Sequence, residues 1–482
     1  MIVEPKIRNN VCLTAHPTGC ARQVEDQIEL VRTRRAKDAG TRRPTRALIV
    51  GSSNGYGLAA RILAAYGYGA ATVGVAFERP GSNDQGRDKL GTAGWYNDMA
   101  FLSHATRDGL DAWSLNGDAF SREVKDQAIA LIRSSMGPID LLIYSIASPR
   151  RMDPLTGTLH SSVIKPIGKP YISRSLDFQS GVVSDFRADP TSSQQEIDDT
   201  IKVMGGEDWR LWVERLTGEG LLADNVTTVA FSYIGPSFTA PIYRDGTIGR
   251  AKEHLEATAH QLQQTLSARG GRALVSVNKA LVTRASAVIP AVPLYIAILY
   301  KVMKEKGLHE VCIHQMHRLF HDYLYADRPL PTDREGRVRL DDWEMRDDVQ
   351  REVAQRWERA DTASIQSLAD VEGFRAEYLN YHGSSFSMVF KVGLAFAGSS
   401  YLWHTCYLTP TLSATSVNVM PDSFRFVLSH KANATDFAGS IAYMPEAFLE
   451  GSLNSRARAI TDSKYPVKAS AASSLAFSKV SL

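Results

Sequence analysis

Tyr243 and Lys252 are the two residues of this sequence whose types and spacing best suit proton transfer. A phenol with an ordinary pKa near 10 is a poor acid at neutral pH, and a nearby ammonium lowers that pKa by stabilising the phenolate. Nine positions along one continuous helix would separate the two side chains by about 13 Å. We therefore expect Asp245-Gly246 to interrupt the chain. Tyr243 would then precede a helix that begins near Thr247 and contains Lys252.

A glycine-rich turn is the second chemical signal. Gly51-Ser-Ser-Asn-Gly-Tyr-Gly57 follows the apolar run 47–50 and precedes a helix-like stretch at 58–65. Strand, glycine turn and helix form the context of a dinucleotide fingerprint, in which bare backbone approaches a pyrophosphate at a helix N-terminus. The spacing G-x-x-x-G-x-G is typical of enzymes similar to short-chain dehydrogenases/reductases. The turn therefore predicts an NAD(P)-dependent oxidoreductase.

Three further strand ends follow the expected path of that cofactor. Glu78 ends the second predicted strand, where a carboxylate hydrogen-bonds the adenosine ribose and repels a 2′-phosphate, which favours NADH. The neighbouring Arg79 argues the other way, because arginine binds that phosphate. Asp118-Ala119 and Ile146-Ala147 follow the third and fourth predicted strands and are expected near the adenine edge and the nicotinamide ribose.

The elements around these residues alternate as in a doubly wound sheet. Predicted strands occupy 46–50, 71–77, 111–115, 139–145, 227–233 and 273–278, and predicted helices occupy 56–66, 93–107 and 121–134. Successive βαβ units with right-handed crossovers produce this order. The fold class is therefore predicted as α/β, an extended Rossmann-like, doubly wound parallel sheet. Residues 1–45 are expected as a preceding hairpin and a polar helix around 24–37, and 46–382 as the reductase domain.

Two segments interrupt this order. A Ser-, Thr- and Pro-rich stretch covers about 150–226, with a helix start near Ser193, and a second interruption covers 281–305. Ligands bind at the carboxyl ends of parallel strands, so insertions there are expected to form substrate lids. The uncharged run 285–300 holds two prolines and is shorter than the ~20 residues of a membrane helix. It is expected as a lid or a buried core helix, with a membrane-surface helix as the alternative.

Composition points to a small-molecule partner. A net charge of +3 over 482 residues gives no reason to invoke nucleic acid or an acidic membrane. Four cysteines make no disulfide framework, and Cys12, His16 and Cys20 lack the short spacing of zinc ligand pairs, so no metal is expected. The N-terminus lacks the apolar centre of a signal peptide, which predicts a cytoplasmic location.

The unusual spacing of Tyr243 and Lys252 carries a family resemblance. With eight residues between them, the pair resembles the signature of the trans-2-enoyl-CoA reductase family, also called type V (FabV-type) enoyl-acyl-carrier-protein reductases. The resemblance covers about residues 1–380. Besides the glycine turn, the motifs that carry it are His16-Pro-Thr-Gly-Cys20, Gly94-Trp-Tyr96, Asn116-Gly-Asp118, Gly205-Gly-Glu-Asp-Trp209 and Leu340-Asp-Asp-Trp343.

The resemblance implies a monomeric reductase that uses NADH in the last step of fatty-acid elongation, on enoyl thioesters of coenzyme A or of acyl carrier protein. Hydride would reach the β carbon, and negative charge would build on the thioester oxygen. Tyr243 is expected to stabilise that enolate and help deliver a proton, Lys252 to assist it, and Tyr233 to contact the carbonyl. The implied cofactor-binding residues are Gly51, Ser52, Ser53, Asn54, Gly55, Tyr56, Phe77, Glu78, Asp118, Ala119, Ile146, Ala147, Lys252, Leu281, Val282 and Thr283.

The end of the chain departs from the family pattern. Residues 383–482 hold 18 serines and show no sustained period of 2 or 3.6. This tail is expected as a disordered extension or as the product of a reading-frame slip.

Two other functions are compatible with the scaffold. One is a carbonyl reductase or alcohol dehydrogenase of the short-chain type, and the eight-residue gap between Tyr243 and Lys252 counts against it. The other is a non-catalytic NAD-binding sensor, which would have no use for Tyr233, Tyr243 and Lys252 together. The fold alone does not separate these functions, because it hosts many chemistries.

Overall fold

The computed structural model describes residues 3–8, 10–34, 43–84, 87–284, 286–289 and 291–384, with the backbone of two short strands further on. The strands are β1 (Ile7–Arg8), β2 (Val11–Cys12), β3 (Arg46–Val50), β4 (Ala71–Ala76), β5 (Ser82–Asp84), β6 (Arg87–Lys89), β7 (Ala112–Asn116), β8 (Ile139–Tyr144), β9 (Arg150–Met152), β10 (Leu159–Ser161), β11 (Tyr171–Asp177), β12 (Val182–Ala188), β13 (Leu222–Ser232), β14 (Arg272–Val277), β15 (Val338–Arg339), β16 (Ser416–Val417) and β17 (Leu428–Ser429).

The helices lie between these strands. They are α1 (Pro17–Thr33), α2 (Gly55–Ile62), α3 (Ala93–Arg107), α4 (Arg122–Ser135), α5 (Gln194–Met204), α6 (Glu207–Gly218), α7 (Thr247–Ser267), α8 (Val292–Glu305), α9 (Cys312–Arg318), α10 (Asp347–Arg359), α11 (Ile365–Leu368) and α12 (Val371–Asn380). Two π-helical turns, Leu63–Gly67 and Leu319–Leu324, continue α2 and α9. Two short 3₁₀ turns cover Ser237–Thr239 and Ser286–Val288.

Seven parallel strands form the central sheet, in the order β7-β4-β3-β8-β13-β14-β15. The chain runs outward from β3 in one direction and then outward from β8 in the other. This is the topology of a doubly wound sheet, and it confirms the predicted fold class. The six predicted strands are present, although β13 begins at Leu222 rather than at residue 227. The seventh, β15, is two residues long and was not predicted.

The sheet is buried on both faces, as β3 illustrates. Ala47 and Ile49 pack into the core on one side, while Leu48 and Val50 pack into the core on the other. All four are fully buried. Successive strand residues point to opposite faces, so a strand covered on both sides is apolar throughout. Polar groups are therefore concentrated where the strands end.

The N-terminal segment forms the expected hairpin and helix. Strands β1 and β2 pair antiparallel, and the helix α1 begins earlier than predicted, at Pro17. Its N-cap is His16, whose Nδ1 accepts a hydrogen bond from the Gly19 N–H at 3.2 Å. Among the described residues, no three His, Cys, Asp or Glu side chains form a group that could hold a metal ion.

The predicted insertion at 150–226 contains two kinds of structure. Its first part forms the hairpins β9–β10 and β11–β12 and the helix α5. Its last part forms α6, whose Trp209 and Trp212 are fully buried against the sheet. The Trp209 indole N–H donates to Thr228 Oγ1 on β13 at 2.7 Å. The helix α6 is therefore the crossover between β8 and β13.

The apolar run of the second insertion forms the buried helix α8. Val292 and the residues from Leu294 to Tyr300 are at most 3% exposed, and the intervening Pro293, in the first turn, is also buried. This outcome agrees with the buried core helix rather than a membrane-surface helix. Among the described helices, none has the length and apolar character needed to cross a membrane.

The described chain closes on its own N-terminal segment. The His16 N–H donates to the His382 carbonyl oxygen at 2.8 Å. The Tyr378 hydroxyl donates to the Asn10 carbonyl oxygen at 2.7 Å and accepts from the Cys12 N–H at 2.8 Å. Residues 381–384 thus belong to the fold. The predictions for the tail apply to residues 383–482. Of these, 385–415, 418–427 and 430–482 lie outside the described part of the chain.

Replacing Gly19 tests that closure. A Cβ at Gly19 would lie 1.8 Å from the Gly383 carbonyl oxygen, so the two segments would have to separate. We expect Gly19→Ala to reduce the free energy of unfolding by about 1–3 kcal/mol, the usual cost of overpacking. Urea unfolding followed by circular dichroism measures it. Gly218→Ala is the control, because a Cβ there meets nothing within 4 Å. Equal stabilities of the two variants would contradict the packing of residues 381–384 on α1.

Candidate active site

The glycine turn sits at the carboxyl edge of β3 in the conformation that a cofactor cradle needs. Gly51 has φ +90°, and a Cβ there would lie 2.2 Å from the Ser145 carbonyl oxygen. The Gly51 and Ser52 N–H groups both donate to the Val75 carbonyl oxygen, at 2.8 and 3.0 Å. Only glycine combines this backbone angle with this close approach. The turn therefore brings the ends of β3, β4 and β8 together.

The N-terminus of α2 opens toward the same turn. Its N-cap residue, Asn54, makes no side-chain cap hydrogen bond. Asn54 Oδ1 accepts from Asn97 Nδ2 at 2.9 Å, whereas the buried Asn54 Nδ2 has no partner among the described residues. Free helix N–H groups and an unpaired amide donor at one point form a site for a phosphate group. These residues fit the pyrophosphate of a dinucleotide.

Glu78 is held rigidly at the end of β4. Its Oε1 accepts from Ser53 Oγ at 2.7 Å, and its backbone N–H and carbonyl oxygen both bond the Asn116 amide, at 2.7 and 2.8 Å. Arg79, which raised the possibility of NADPH binding, instead donates to the Leu90 carbonyl oxygen at 3.4 Å. The cation beside Glu78 is Arg284, at 3.6 Å, which the sequence did not single out.

The remaining cofactor candidates lie along the same edge. Phe77 is 76% exposed beside Glu78, so the flat face of its ring is open to a ligand. Asp118 accepts from the Phe120 N–H at 3.0 Å and so shapes the turn that holds Ala119. Ile146 and Ala147 follow β8 directly after Ser145, whose carbonyl oxygen meets the glycine turn.

The segment after β14 meets the glycine turn from the opposite side. Thr283 lies there, since a Cβ at Gly55 would be 3.8 Å from Thr283 Cγ2. The Val282 N–H donates to the Tyr300 hydroxyl at 3.0 Å, and Leu281 is buried. The Tyr56 hydroxyl donates to the Lys279 carbonyl oxygen at 2.7 Å. The structure thus brings the residues of 51–56, 78 and 281–283 together at this edge of the sheet.

Tyr243 and Lys252 lie on different elements, as predicted. The helix α7 begins at Thr247 and contains Lys252, while Tyr243 lies in the turn before it. Burial lowers the pKa of Lys252 to about 8, and the charge of Glu256 partly offsets this effect. Among the described residues, the ammonium makes no hydrogen bond or ion pair. It is therefore available to hydroxyl groups of a bound ligand.

The pKa of Tyr243 shifts in the direction opposite to the expected one. Burial raises it above the ordinary phenol value, and the negative charge of Glu344 adds to the effect. The desolvation of the phenolate is larger here than any stabilisation by a cation. Tyr243 therefore stays protonated, and its hydroxyl keeps a hydrogen that it can donate.

Tyr233 contacts Tyr243 directly. Their ring centroids lie 5.1 Å apart with an interplanar angle of 83°, an edge-to-face arrangement. The Tyr233 hydroxyl donates to Glu344 Oε1 at 3.3 Å. Glu344 follows the Leu340-Asp-Asp-Trp343 motif, but the sequence analysis assigned it no role. Because the two-residue strand β15 was not predicted, the signal that the sequence offered was the position of Glu344 immediately after that motif.

Known proteins place this chain in a family. It is 50% identical over 389 residues to the enoyl-[acyl-carrier-protein] reductase [NADH] of Flavobacterium johnsoniae, which covers 81% of this chain and 96% of the relative. Residues 89–325 match the family model of the trans-2-enoyl-CoA reductase catalytic region, and 2–83 match that of the NAD(P)H binding domain of trans-2-enoyl-CoA reductase. The chain belongs to the trans-2-enoyl-CoA reductase family. The predicted family, the oxidoreductase class and the NAD(H) cofactor are thereby confirmed.

Solved structures of this reductase family share the fold. The Treponema denticola trans-2-enoyl-CoA reductase in complex with NAD is 50% identical, with a TM-score of 0.77 over 80% of this chain and 96% of that one. The Clostridium acetobutulicum enzyme in complex with NADH is 44% identical, with a TM-score of 0.76 over 80% of this chain and 95% of that one. The reductase of Coxiella burnetii (strain CbuG_Q212), named enoyl-[acyl-carrier-protein] reductase [NADH], is 52% identical over 80% of this chain and 93% of its own.

A third family model, the enoyl reductase FAD binding domain, matches residues 332–389. The described residues of this segment do not fit a flavin. Its apolar side chains, such as Val349, Val353 and Phe374, are fully buried in the core shared with the sheet. The open groove along α10 is lined mainly by charged side chains, among them Arg351 and Arg359, whereas a flavin ring needs an enclosed, largely apolar slot. What this segment supplies to the reductase is Glu344.

Replacing Glu78 tests its role in cofactor choice. Glu78→Ala removes the carboxylate that repels a 2′-phosphate. We therefore expect the ratio of the NADPH dissociation constant to the NADH dissociation constant to fall at least about tenfold. Fluorescence titration with each cofactor measures both constants. Arg79→Ala is the control, because its guanidinium contacts the Leu90 carbonyl oxygen. An unchanged ratio in Glu78→Ala would remove the discrimination argument.

Proposed function

We propose that this chain uses NADH to reduce the trans-2 double bond of enoyl thioesters in fatty acid synthesis. The observation that carries the proposal is the edge-to-face pair of Tyr233 and Tyr243 at the carboxyl edge of the sheet. The same edge holds the glycine turn and Glu78. The Treponema denticola and Clostridium acetobutulicum relatives, with NAD and NADH in their complexes, support the cofactor.

The chemistry divides between the cofactor and this chain. NADH, when bound, supplies a hydride to the β carbon of the substrate. The electron pair of the double bond then moves toward the α carbon and the thioester oxygen. Tyr243, kept protonated by burial, donates a hydrogen bond to that oxygen and helps return a proton to the α carbon. The Lys252 ammonium holds ligand hydroxyls. Its pKa of about 8 is close enough to neutral pH for the group to exchange protons.

Substrate access is assigned to the insertions. The hairpins β9–β10 and β11–β12, the helix α5 and the described residues 281–284 and 286–289 form the proposed substrate side of the site. The hairpin β9–β10 exposes Met152, Leu155 and Leu159. We also propose that the reductase works as a monomer in the cytoplasm and takes its substrate from coenzyme A or acyl carrier protein.

A spectrophotometric assay tests the proposal. We expect NADH oxidation with crotonyl-CoA and none with acetoacetyl-CoA under the same conditions. Activity with acetoacetyl-CoA alone would instead assign a ketone reductase of the short-chain type. NADH binding without oxidation of either thioester, or of a crotonyl group on acyl carrier protein, would favour the non-catalytic sensor.

Tyr243→Phe tests the proposed donor. Removing a general acid or an oxyanion donor costs about 10²–10⁴ in rate, so kcat should fall within that range. The NADH dissociation constant should stay within about twofold, because the phenol acts on the substrate rather than on the adenosine end. Tyr68→Phe is a matched control, since Tyr68 packs on Phe320 and Tyr325 away from this edge. Unchanged kcat in Tyr243→Phe would remove its role as a donor.

A further inference from the structure

Glu344 is a fully buried carboxylate at the centre of three hydrogen bonds. Its Oε2 accepts from the Ala280 N–H at 2.6 Å. Its Oε1 accepts from the Tyr295 hydroxyl at 2.6 Å and from the Tyr233 hydroxyl at 3.3 Å. The carboxylate thus connects the ends of β13, β14 and β15 with the buried helix α8.

The direction of the Tyr295 hydroxyl is determined by a further contact. Gln350 Nε2, on α10, donates to the Tyr295 oxygen at 3.2 Å and to the Glu344 carbonyl oxygen at 2.7 Å. Because the Tyr295 oxygen already accepts from an amide, its own hydrogen points to Glu344. The Tyr233 hydroxyl has the longest of the three contacts to Glu344, and it also hydrogen-bonds the Tyr295 hydroxyl.

Several charged or titratable groups face this carboxylate. Lys279, after β14, attracts its negative charge, although the ammonium donates to the Ala280 carbonyl oxygen at 3.0 Å rather than to Glu344. Asp341, after β15, repels it, and Tyr295 donates to it from α8. Tyr56 on α2, Tyr233 after β13 and Tyr243 before α7 also face it, and its negative charge raises the pKa of each phenol. Burial outweighs these contributions and raises the pKa of Glu344 to about 7.

A phenol has one hydrogen, so Tyr233 donates in one direction at a time. While Glu344 is ionised, that hydrogen is held by the Glu344 and Tyr295 oxygens, and the Tyr233 oxygen offers only lone pairs to a substrate. When Glu344 is protonated, the Ala280 N–H keeps Oε2 as an acceptor, so the proton resides on Oε1. The carboxyl O–H then donates to the Tyr233 oxygen, and the Tyr233 hydrogen is released toward the site.

We propose that Glu344 is a positioning residue whose protonation decides whether Tyr233 donates its hydrogen to the thioester oxygen. The inference rests on the proposed function, since it concerns the same enolate oxygen. The protonated carboxyl leaves two donors, Tyr243 and Tyr233, for the developing charge, and the ionised carboxylate leaves one. Losing one donor to a developing oxyanion costs about 10²–10³ in kcat.

The pH dependence of kcat with NADH and crotonyl-CoA tests this inference in the full chain. Between one pH unit below and one above 7, the protonated fraction of a group with a pKa of about 7 falls about tenfold. Titration of Lys252, with its pKa of about 8, adds about a further twofold. We expect kcat of the natural chain to fall about twentyfold over this interval as the pH rises.

Glu344→Gln should reduce that fall to about twofold, because an amide mimics the protonated acid. Its oxygen must face the Ala280 N–H, so its NH₂ group faces the Tyr233 oxygen and keeps the Tyr233 hydrogen free. Glu377→Gln is the matched control, since burial also raises the pKa of Glu377 to about 7 but its partner is Tyr300. That control should keep the fall of the natural chain.

An unchanged fall in Glu344→Gln would overturn the inference, and so would a fall in the natural chain no larger than that of the variant. Should Glu344→Gln fail to bind NADH, Tyr233→Phe replaces it. That variant should show a lowered kcat at the lower pH and only the twofold fall due to Lys252. A twentyfold fall in Tyr233→Phe would also overturn the inference. A natural chain that binds NADH yet reduces no enoyl thioester would overturn the proposed function itself, and this inference with it.

Discussion

Burial of the parallel sheet on both faces is the constraint on which the rest of this structure depends. Strands such as β3 have no polar face, so the chain places its hydrogen-bonding and titratable side chains beyond the strand ends. Parallel strands all end at the same edge. The glycine turn after β3, Glu78 after β4, Tyr233 after β13 and Glu344 after β15 therefore meet along one line, although they are far apart in sequence.

The same burial determines the protonation of the site. Desolvation is the largest effect on Tyr243, Lys252 and Glu344, and in each case it favours the neutral form. A neutral phenol that donates a hydrogen bond suits the stabilisation of an enolate better than a phenolate would. The dry environment that the sheet and α8 create is thus part of the proposed chemistry.

The C-terminal described segment completes the site and the fold together. Residues 332–384 supply the last strand of the sheet, the carboxylate that contacts Tyr233 and Tyr295, and the closure on His16 at the start of α1. A flavin role for this segment has no support in its packing. Its position explains why the family match continues to residue 389, past the expected end near 380.

Features that depend on local pattern could be predicted from the sequence. Apolar runs predicted six strands of the sheet, the glycine spacing predicted the cofactor turn, and Asp245-Gly246 predicted the break between Tyr243 and the helix of Lys252. The tertiary structure alone decided which distant groups meet: Glu344 with Tyr233 and Tyr295, and Arg284 rather than Arg79 with Glu78. It also decided that α6 covers the sheet and that burial raises the pKa of Tyr243. These contacts and the burial around them arise when whole elements pack together. They join residues far apart in the sequence, so they leave no periodic signal in the chain.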